Sequence, residues 1–163
     1  VAHPKHEAVR QRFGFCCGYC GVTEVDVGGE LTVDHFHPVS AGWDDGDDNL
    51  VYACMRCNLY KSDYTPNEAD RIHERRLLHP LLEDTSQHLQ EDRESGRLQA
   101  LTETGRFHIT LLRLNRPELV EHRLRSYLAA LTERKLQNLT DENALLRTVL
   151  LIQRAFLPGR KEE

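Results

Sequence analysis

The 163-residue chain lacks any run near the roughly 20 apolar residues needed to cross a bilayer, and its opening Val1-Ala2-His3-Pro4-Lys5-His6 has no apolar signal-peptide region. A soluble cytoplasmic protein with no membrane partner is expected. A basic excess is missing too: the formal net charge is -5 and the isoelectric point is near 6.0. Duplex binders commonly neutralise phosphates with a surplus of Lys and Arg, so any nucleic-acid role here must rest on a local site. Internal repeats and low-complexity segments are absent as well. What is present, 29% charged and 39% hydrophobic residues, fits one globular domain or a small domain with an extension.

Charge and cysteine are unevenly placed. Residues 1 to 64 hold only five basic side chains (Lys5, Arg10, Arg12, Arg56 and Lys61), against acidic groups that include Asp34, Asp44, Asp45, Asp47, Asp48 and Asp63. All five cysteines lie there, at 16, 17, 20, 54 and 57. An odd number in short paired spacings is not a secreted disulfide framework.

Local signals predict a short helix over 3–15 that ends near Gly14, and then a Cys17-Gly18-Tyr19-Cys20-Gly21 knuckle. The glycines allow the tight turn that two converging sulfurs require. Gly28-Gly29 is a turn signal, Leu31 to Asp34 a short strand, and 39–48 a loop. Leu50 to Ala53 form a second strand, followed by a helix from Cys54 to about Tyr64, where Thr65-Pro66 stops it. Residues 67–95 are helix-prone. Leu98 to Leu101 and Phe107 to Leu114 predict a hairpin with Thr102 to Gly105 as its turn. A helix from Pro117 to about Gln137 and a last helix capped at Thr140-Asp141-Glu142 complete the reading. The expected class is α+β, with a core over 3–65 and, over 66–163, a mostly helical extension carrying a small hairpin near 97–115.

Two Cys-x-x-Cys pairs, Cys17 with Cys20 and Cys54 with Cys57, have the spacing that closes a tetrahedral structural zinc site. A redox dithiol is the rival reading, but it needs only one pair and a helix after it. Cys16 is left over as a small buried thiol. Between the pairs stand Asp34-His35, with Asn49 before the second strand and Asn58 after the second cysteine pair. Carboxylate and carboxamide oxygens suit Mg2+ or Mn2+, while a neutral imidazole can take a proton from water. Together these are tools for phosphodiester hydrolysis.

At this point the residues resemble the HNH endonucleases of the ββα-metal nuclease superfamily, in particular a bacterial standalone subgroup stapled by zinc. The likeness runs from Cys17 to about Lys61, through Leu-Thr-Val-Asp-His-Phe-His-Pro-Val-Ser and Asp-Asn-Leu-Val-Tyr-Ala-Cys-Met-Arg-Cys-Asn-x-x-Lys. It implies His35 as the general base, Asp34 and Asn58 as ligands of a catalytic Mg2+ or Mn2+, and Asn49 as the amide that ties down the loop. DNA is the implied substrate, with 5′-phosphate and 3′-hydroxyl products. Lys61 and His37 are candidate phosphate contacts; a solvated surface role is the alternative for each. Trp43 departs from the pattern, standing where many members have glycine.

The acidic run Asp44, Asp45, Asp47 and Asp48 lacks EF-hand order and reads as a solvated loop. Leu77-Leu78-His79-Pro80 and residues 105–117 also resemble the downstream part of that subgroup, with no function attached. Arg106, Arg113, Arg116, Arg123 and Arg125 offer either a duplex-binding surface or a solvated helix face. Beside the metal-dependent endonuclease stand two alternatives. One is a non-catalytic, zinc-ribbon-like binding module. The other is a nuclease subunit of a defence system that acts only with a partner such as an ATPase.

Overall fold

The computed structural model describes residues 3–156; Val1, Ala2 and the last seven residues of the expected extension lie outside the described residues. The chain divides into two compact units, residues 1–124 and 125–163. In the first unit, helix α1 (His6–Arg12) and the one-turn helix α2 (Glu24–Val27) precede strand β1 (Thr32–His35). Two 3-10 turns, Val39–Ala41 and Asp47–Asn49, shape the long loop to strand β2 (Leu50–Ala53), and helix α3 (Met55–Lys61) follows at once. The expected order of strand, loop, strand and helix is therefore present. β1 and β2 pair antiparallel, with Asp34 opposite Val51 and His35 opposite Leu50.

All four β2 residues are buried, so this strand shows no alternation: both of its faces are covered. Val9 of α1, Tyr19, Val22 and Leu31 pack into the same apolar cluster, which also takes in Leu77, Leu112, Leu114 and Leu119 from later in the chain. Polar groups lock the entry. Arg10 makes two hydrogen bonds to the Glu24 carboxylate at 2.6 and 2.8 Å. Tyr52 donates to Glu24 as well and accepts the Leu31 N–H at 2.8 Å.

Downstream the structure departs from the sequence reading in three places. Within 67–95 only α4 (Glu68–Ile72), begun by an Asn67/Asp70 capping box, and a 3-10 turn at Thr85–Gln87 are helical. Pro80 disfavours helix at the residue before it, and Leu77, Leu78 and His79 are buried instead. The hairpin lies earlier than expected: β3 (Leu89–Asp92) pairs with β4 (Arg97–Ala100), while 107–114 begins inside helix α5 (Glu103–Leu111). Thr102, read as a turn residue, is the N-cap of α5 and accepts the Gly105 N–H at 3.1 Å. Gly105 is needed for close approach, because a Cβ there would stand 2.1 Å from the His88 carbonyl oxygen.

Third, the two expected C-terminal helices are one, α6 (Pro117–Phe156). Thr140 does not cap; its hydroxyl donates to the Leu136 carbonyl at 3.0 Å, the i-4 bond of a continuing helix. Neither Gly nor Pro occurs from 118 to 156 to stop it. In the second unit Leu128, Leu136, Leu145, Leu150 and Leu151 are all exposed. Among the described residues no helix is long and apolar enough to cross a membrane.

His108 of α5 is buried and accepts the Leu78 N–H at 3.1 Å, joining α5 to the 77–79 segment. Burial lowers its pKa from the ordinary 6.5 to about 4, with positive charge at His88 and Arg76 adding to the effect. The unfolded chain therefore binds a proton that the folded chain refuses between these two values. This contribution is complete above pH 6.5 and is lost as pH falls toward 4. Denaturant titrations at pH 7.5 and 5 should show the native protein losing about 2 kcal/mol more than a His108→Gln variant does. Equal losses in the two would remove His108 as the cause.

Candidate functional site

The four paired cysteines converge because three local structures aim them. The knuckle is closed by the Gly21 N–H on the Cys17 carbonyl at 2.8 Å, with Gly21 at a φ of 79°. Gly18 lies against Phe13 and Val51 with no room for a Cβ, and its N–H donates to Tyr52 of β2 at 2.8 Å. Cys54 is the N-cap of α3, its sulfur accepting the Cys57 N–H at 3.5 Å. The sulfurs of Cys17, Cys20, Cys54 and Cys57 all lie within 4.8 Å of one another, with Cys20 and Cys54 3.8 Å apart. A tetrahedron with Zn–S bonds of about 2.3 Å has edges of about 3.8 Å, so these residues fit structural zinc. Sulfur–sulfur hydrogen bonds hold Cys17 and Cys54 below the ordinary thiol pKa and push Cys20 and Cys57 above it, as expected of crowded donors sharing too few charges. Cys16 stands apart, with its thiol donating to the Gly14 carbonyl at 3.2 Å.

Asp34 points inward. The Tyr19 hydroxyl donates to its Oδ2 at 2.6 Å and the Lys61 ammonium to its Oδ1 at 3.2 Å. Burial pushes the Asp34 pKa above the ordinary carboxylate value, although Lys61 and Tyr19 both pull it down. Lys61, expected as a phosphate contact, is buried. Only 2% of the residue is exposed, and its three ammonium protons meet Asp34, the His35 carbonyl at 2.6 Å and the Ser62 carbonyl at 3.2 Å. Cys54, Cys57 and Lys61 share one helical face at i, i+3 and i+7, and that face is turned inward.

This geometry bears on the expected catalytic cation. Asp34 is buried with one carboxylate oxygen on the Lys61 ammonium and the other on the Tyr19 hydroxyl, and Asn58 is half-buried on α3. As arranged, the pair does not fit a hard divalent ion that must keep several waters.

His35, at the end of β1, has the opposite outlook. Its Nε2 lies 2.6 Å from Oδ1 of Asp45, and its side chain is 25% exposed. The hydrogen bond from His35 is the main cause that keeps the Asp45 pKa below the ordinary value. An ionised Asp45 can only accept, so Nε2 is the ring nitrogen that donates to it, and in that tautomer the other ring nitrogen keeps its lone pair.

Asn49 is buried and braces the loop that delivers Asp45. Its side-chain nitrogen donates to the carbonyls of His37 at 3.0 Å and Asp44 at 2.9 Å, and its oxygen accepts the His37 N–H at 2.7 Å. Its own carbonyl accepts the Phe36 N–H at 2.8 Å. His37 is turned away from His35: its ring stacks on Trp43 with centroids 4.1 Å apart, and it lines a cavity of about 370 Å³ with Phe36, Leu77 and His79. Burial, then charge at His79 and Lys61, lowers its pKa.

Asp45 and His3 are the residues that sequence reasoning missed. Asp45 reads as a solvated loop acid because its ten-residue distance from His35 gives no periodic signal; in the fold, Asn49 holds the Asp44 carbonyl and Lys5 the Asp45 carbonyl. His3 sits with its ring 5.7 Å from that of His35. The five arginines do not make one surface. Arg123 is buried and donates to the Gly96 carbonyl at 2.6 Å and the Leu114 carbonyl at 2.8 Å. Arg116 faces the zinc-site cysteines, with its Nη2 3.9 Å from the Cys57 sulfur.

Comparison with known proteins agrees with the geometry of the first unit. Residues 17–63 match the family model of the HNH endonuclease. Septu protein PtuA of Bacillus mycoides (strain KBAB4) is 28% identical over 145 residues, covering 73% of this chain and 20% of that protein. The chain thus spans about a fifth of the length of this curated relative. No solved structure gives a significant match.

Purified protein should carry one zinc ion per chain, read by elemental analysis. Cys54→Ser should lose that ion and melt at lower temperature, because zinc bound only by the folded chain supplies folding free energy. A Cys54→Ser protein that melts like the unaltered one, with or without chelator, would show that no metal holds the knuckle.

Proposed function

We propose, on the premise that residues 17–63 form an HNH endonuclease domain, that the protein hydrolyses DNA phosphodiester bonds in the cytoplasm with His35 as the general base. The observation that carries this reading is the 2.6 Å contact between His35 Nε2 and Asp45. Asp45 accepts a hydrogen bond from the Nε2–H, which keeps its proton, so the remaining ring nitrogen accepts one from a water molecule placed against the scissile phosphate. The imidazolium that forms is stabilised by the same carboxylate. Lys61 anchors the His35 carbonyl and Asn49 holds both ends of the loop, so the ring is oriented before substrate arrives. The family likeness implies Mg2+ or Mn2+, but the Lys61–Asp34 pair gives it no fitting ligand set, and no step of this proposal passes through it. The expected products carry 5′-phosphate and 3′-hydroxyl ends.

One observation favours a second reading, the non-catalytic binding module: the Asp34 carboxylate is occupied by Lys61 and Tyr19. A protein partner is consistent with either reading, because the exposed leucines of residues 125–156 offer an apolar surface for one.

Nicking of supercoiled plasmid by the purified chain, in magnesium or manganese salt, separates the two readings. His35→Ala should lower the cleavage rate by about 10²–10⁴-fold, the usual weight of general base catalysis, while zinc content stays the same. Asp45→Asn should lose a smaller factor, and Asn49→Ala should fall between unaltered and His35→Ala. Cleavage by His35→Ala at the full rate would overturn the proposal. No cleavage by any form, with DNA binding retained, would overturn cleavage by the chain alone and leave the binding module and the partner-dependent subunit.

A further inference from the structure

Around His35 the structure brings together more than a base and its carboxylate. His3, His35 and Asp45 offer two imidazole nitrogens and a carboxylate oxygen that all lie within 4.8 Å of one another. None of the three belongs to the zinc knuckle. The Nε2 atom of His3 is buried and has no hydrogen-bond partner, and it lies 3.6 Å from Oδ2 of Asp45. A buried ring nitrogen without a partner is uncommon. Here it is aimed at a carboxylate that already holds a second imidazole.

Two histidines and a carboxylate are the donor set of a borderline ion such as Zn2+, whereas Mg2+ prefers oxygen and water. Bonds of about 2.0–2.1 Å in a tetrahedron separate ligand atoms by about 3.3 Å. The Asp45 side chain, 59% exposed on its loop, has room to shift to that spacing. His3 Nδ1 accepts the Lys5 N–H at 3.1 Å. Coordination through Nε2 moves the His3 proton to Nδ1 and releases that exposed N–H to water.

We infer that His3, His35 and Asp45 form a second metal site, separate from the four cysteines, which takes a Zn2+-type ion and switches His35 off as a base. The chemistry of the switch is a tautomer exchange. In the metal-free arrangement Asp45 accepts a hydrogen bond from the Nε2–H of His35 and the other nitrogen is the base. With an ion on Nε2, the ring's one proton must sit on the other nitrogen, which then has no lone pair for water. The switching half of this inference rests on the cleavage role proposed for His35; the binding half does not.

The test uses the full chain with its cysteine site filled by one equivalent of zinc, titrated with Co2+ and followed by absorption spectroscopy. Expected is a second equivalent with visible d–d bands and no near-ultraviolet thiolate charge-transfer band. Its dissociation constant should rise at least tenfold in both His3→Ala and Asp45→Asn. Circular dichroism checks that each variant is folded, and Asp45→Asn, on an exposed loop, decides the matter if His3→Ala is not. Absence of a second equivalent, a thiolate band accompanying it, or unchanged affinity in the folded variants would overturn the site. For the switch, the ratio of plasmid nicking rates before and after one further equivalent of Zn2+ should exceed ten in the unaltered chain and stay near one in His3→Ala. A ratio near one in the unaltered chain, with Co2+ binding intact, would overturn the switch alone. A chain that never cleaves but binds Co2+ as described would overturn the cleavage role and leave the site standing.

Discussion

The arrangement of the first unit depends on where one buried ammonium is placed. Lys61 lies at the end of α3, and a charge held out of water must be matched by several acceptors or it unfolds its surroundings. It is matched by Asp34, the His35 carbonyl and the Ser62 carbonyl, so the end of the helix is tied to the end of β1. The cysteines perform the same joining at the start of that helix, with Cys54 as its N-cap. One element is thereby fixed to its neighbours at both ends by different chemistry, soft sulfur at one and a hard ion pair at the other. Because the Lys61 ammonium bonds to His35 through the main chain, the histidine's position is set while its ring is left to bond Asp45.

That division explains why adjacent residues of one strand have such different surroundings. Asp34 is buried against Tyr19 and Lys61, and His35 looks toward the loop at Asp45. Alternation along a strand makes the split unavoidable. The likeness gives Asp34 to a cation and His35 to a water as one chemical unit, whereas along the strand they are consecutive positions facing opposite ways.

Much of the core was legible because its signals are local. The cysteine spacing, the glycines of the knuckle, the β2 run and the α3 start each act within a few residues, and the structure contains them all. Asn49 was expected to secure the loop, and its side chain makes three hydrogen bonds there. What escaped was decided by contacts far apart in sequence. Lys61 looked like a surface lysine until its helical face was assigned, and Asp45 looked solvated until the loop folded back. Downstream the fault lay in ambiguous local chemistry: Thr102 and Gly105 serve a turn or a helix start equally well, and the His88 carbonyl behind Gly105 decides between them. Thr140 was ambiguous in the same way, and without a glycine or proline nearby the helix simply continued.

The acidic loop has a kinetic consequence. Asp45 bonds the His35 ring, Asp44, Asp47 and Asp48 share its loop, and Lys5 offsets part of their charge through Asp47. A phosphodiester, the substrate proposed above, would therefore approach this site against the local field, over a range set by a Debye length of about 8–10 Å at ordinary ionic strength. Basic proteins find DNA by long-range attraction and slide along it; a formal net charge of -5 gives this chain no such overall attraction. Under the proposed reading, an encounter with nucleic acid would depend on short collisions or on delivery by another surface, and added salt, which slows the usual binder, would here lower the barrier to approach.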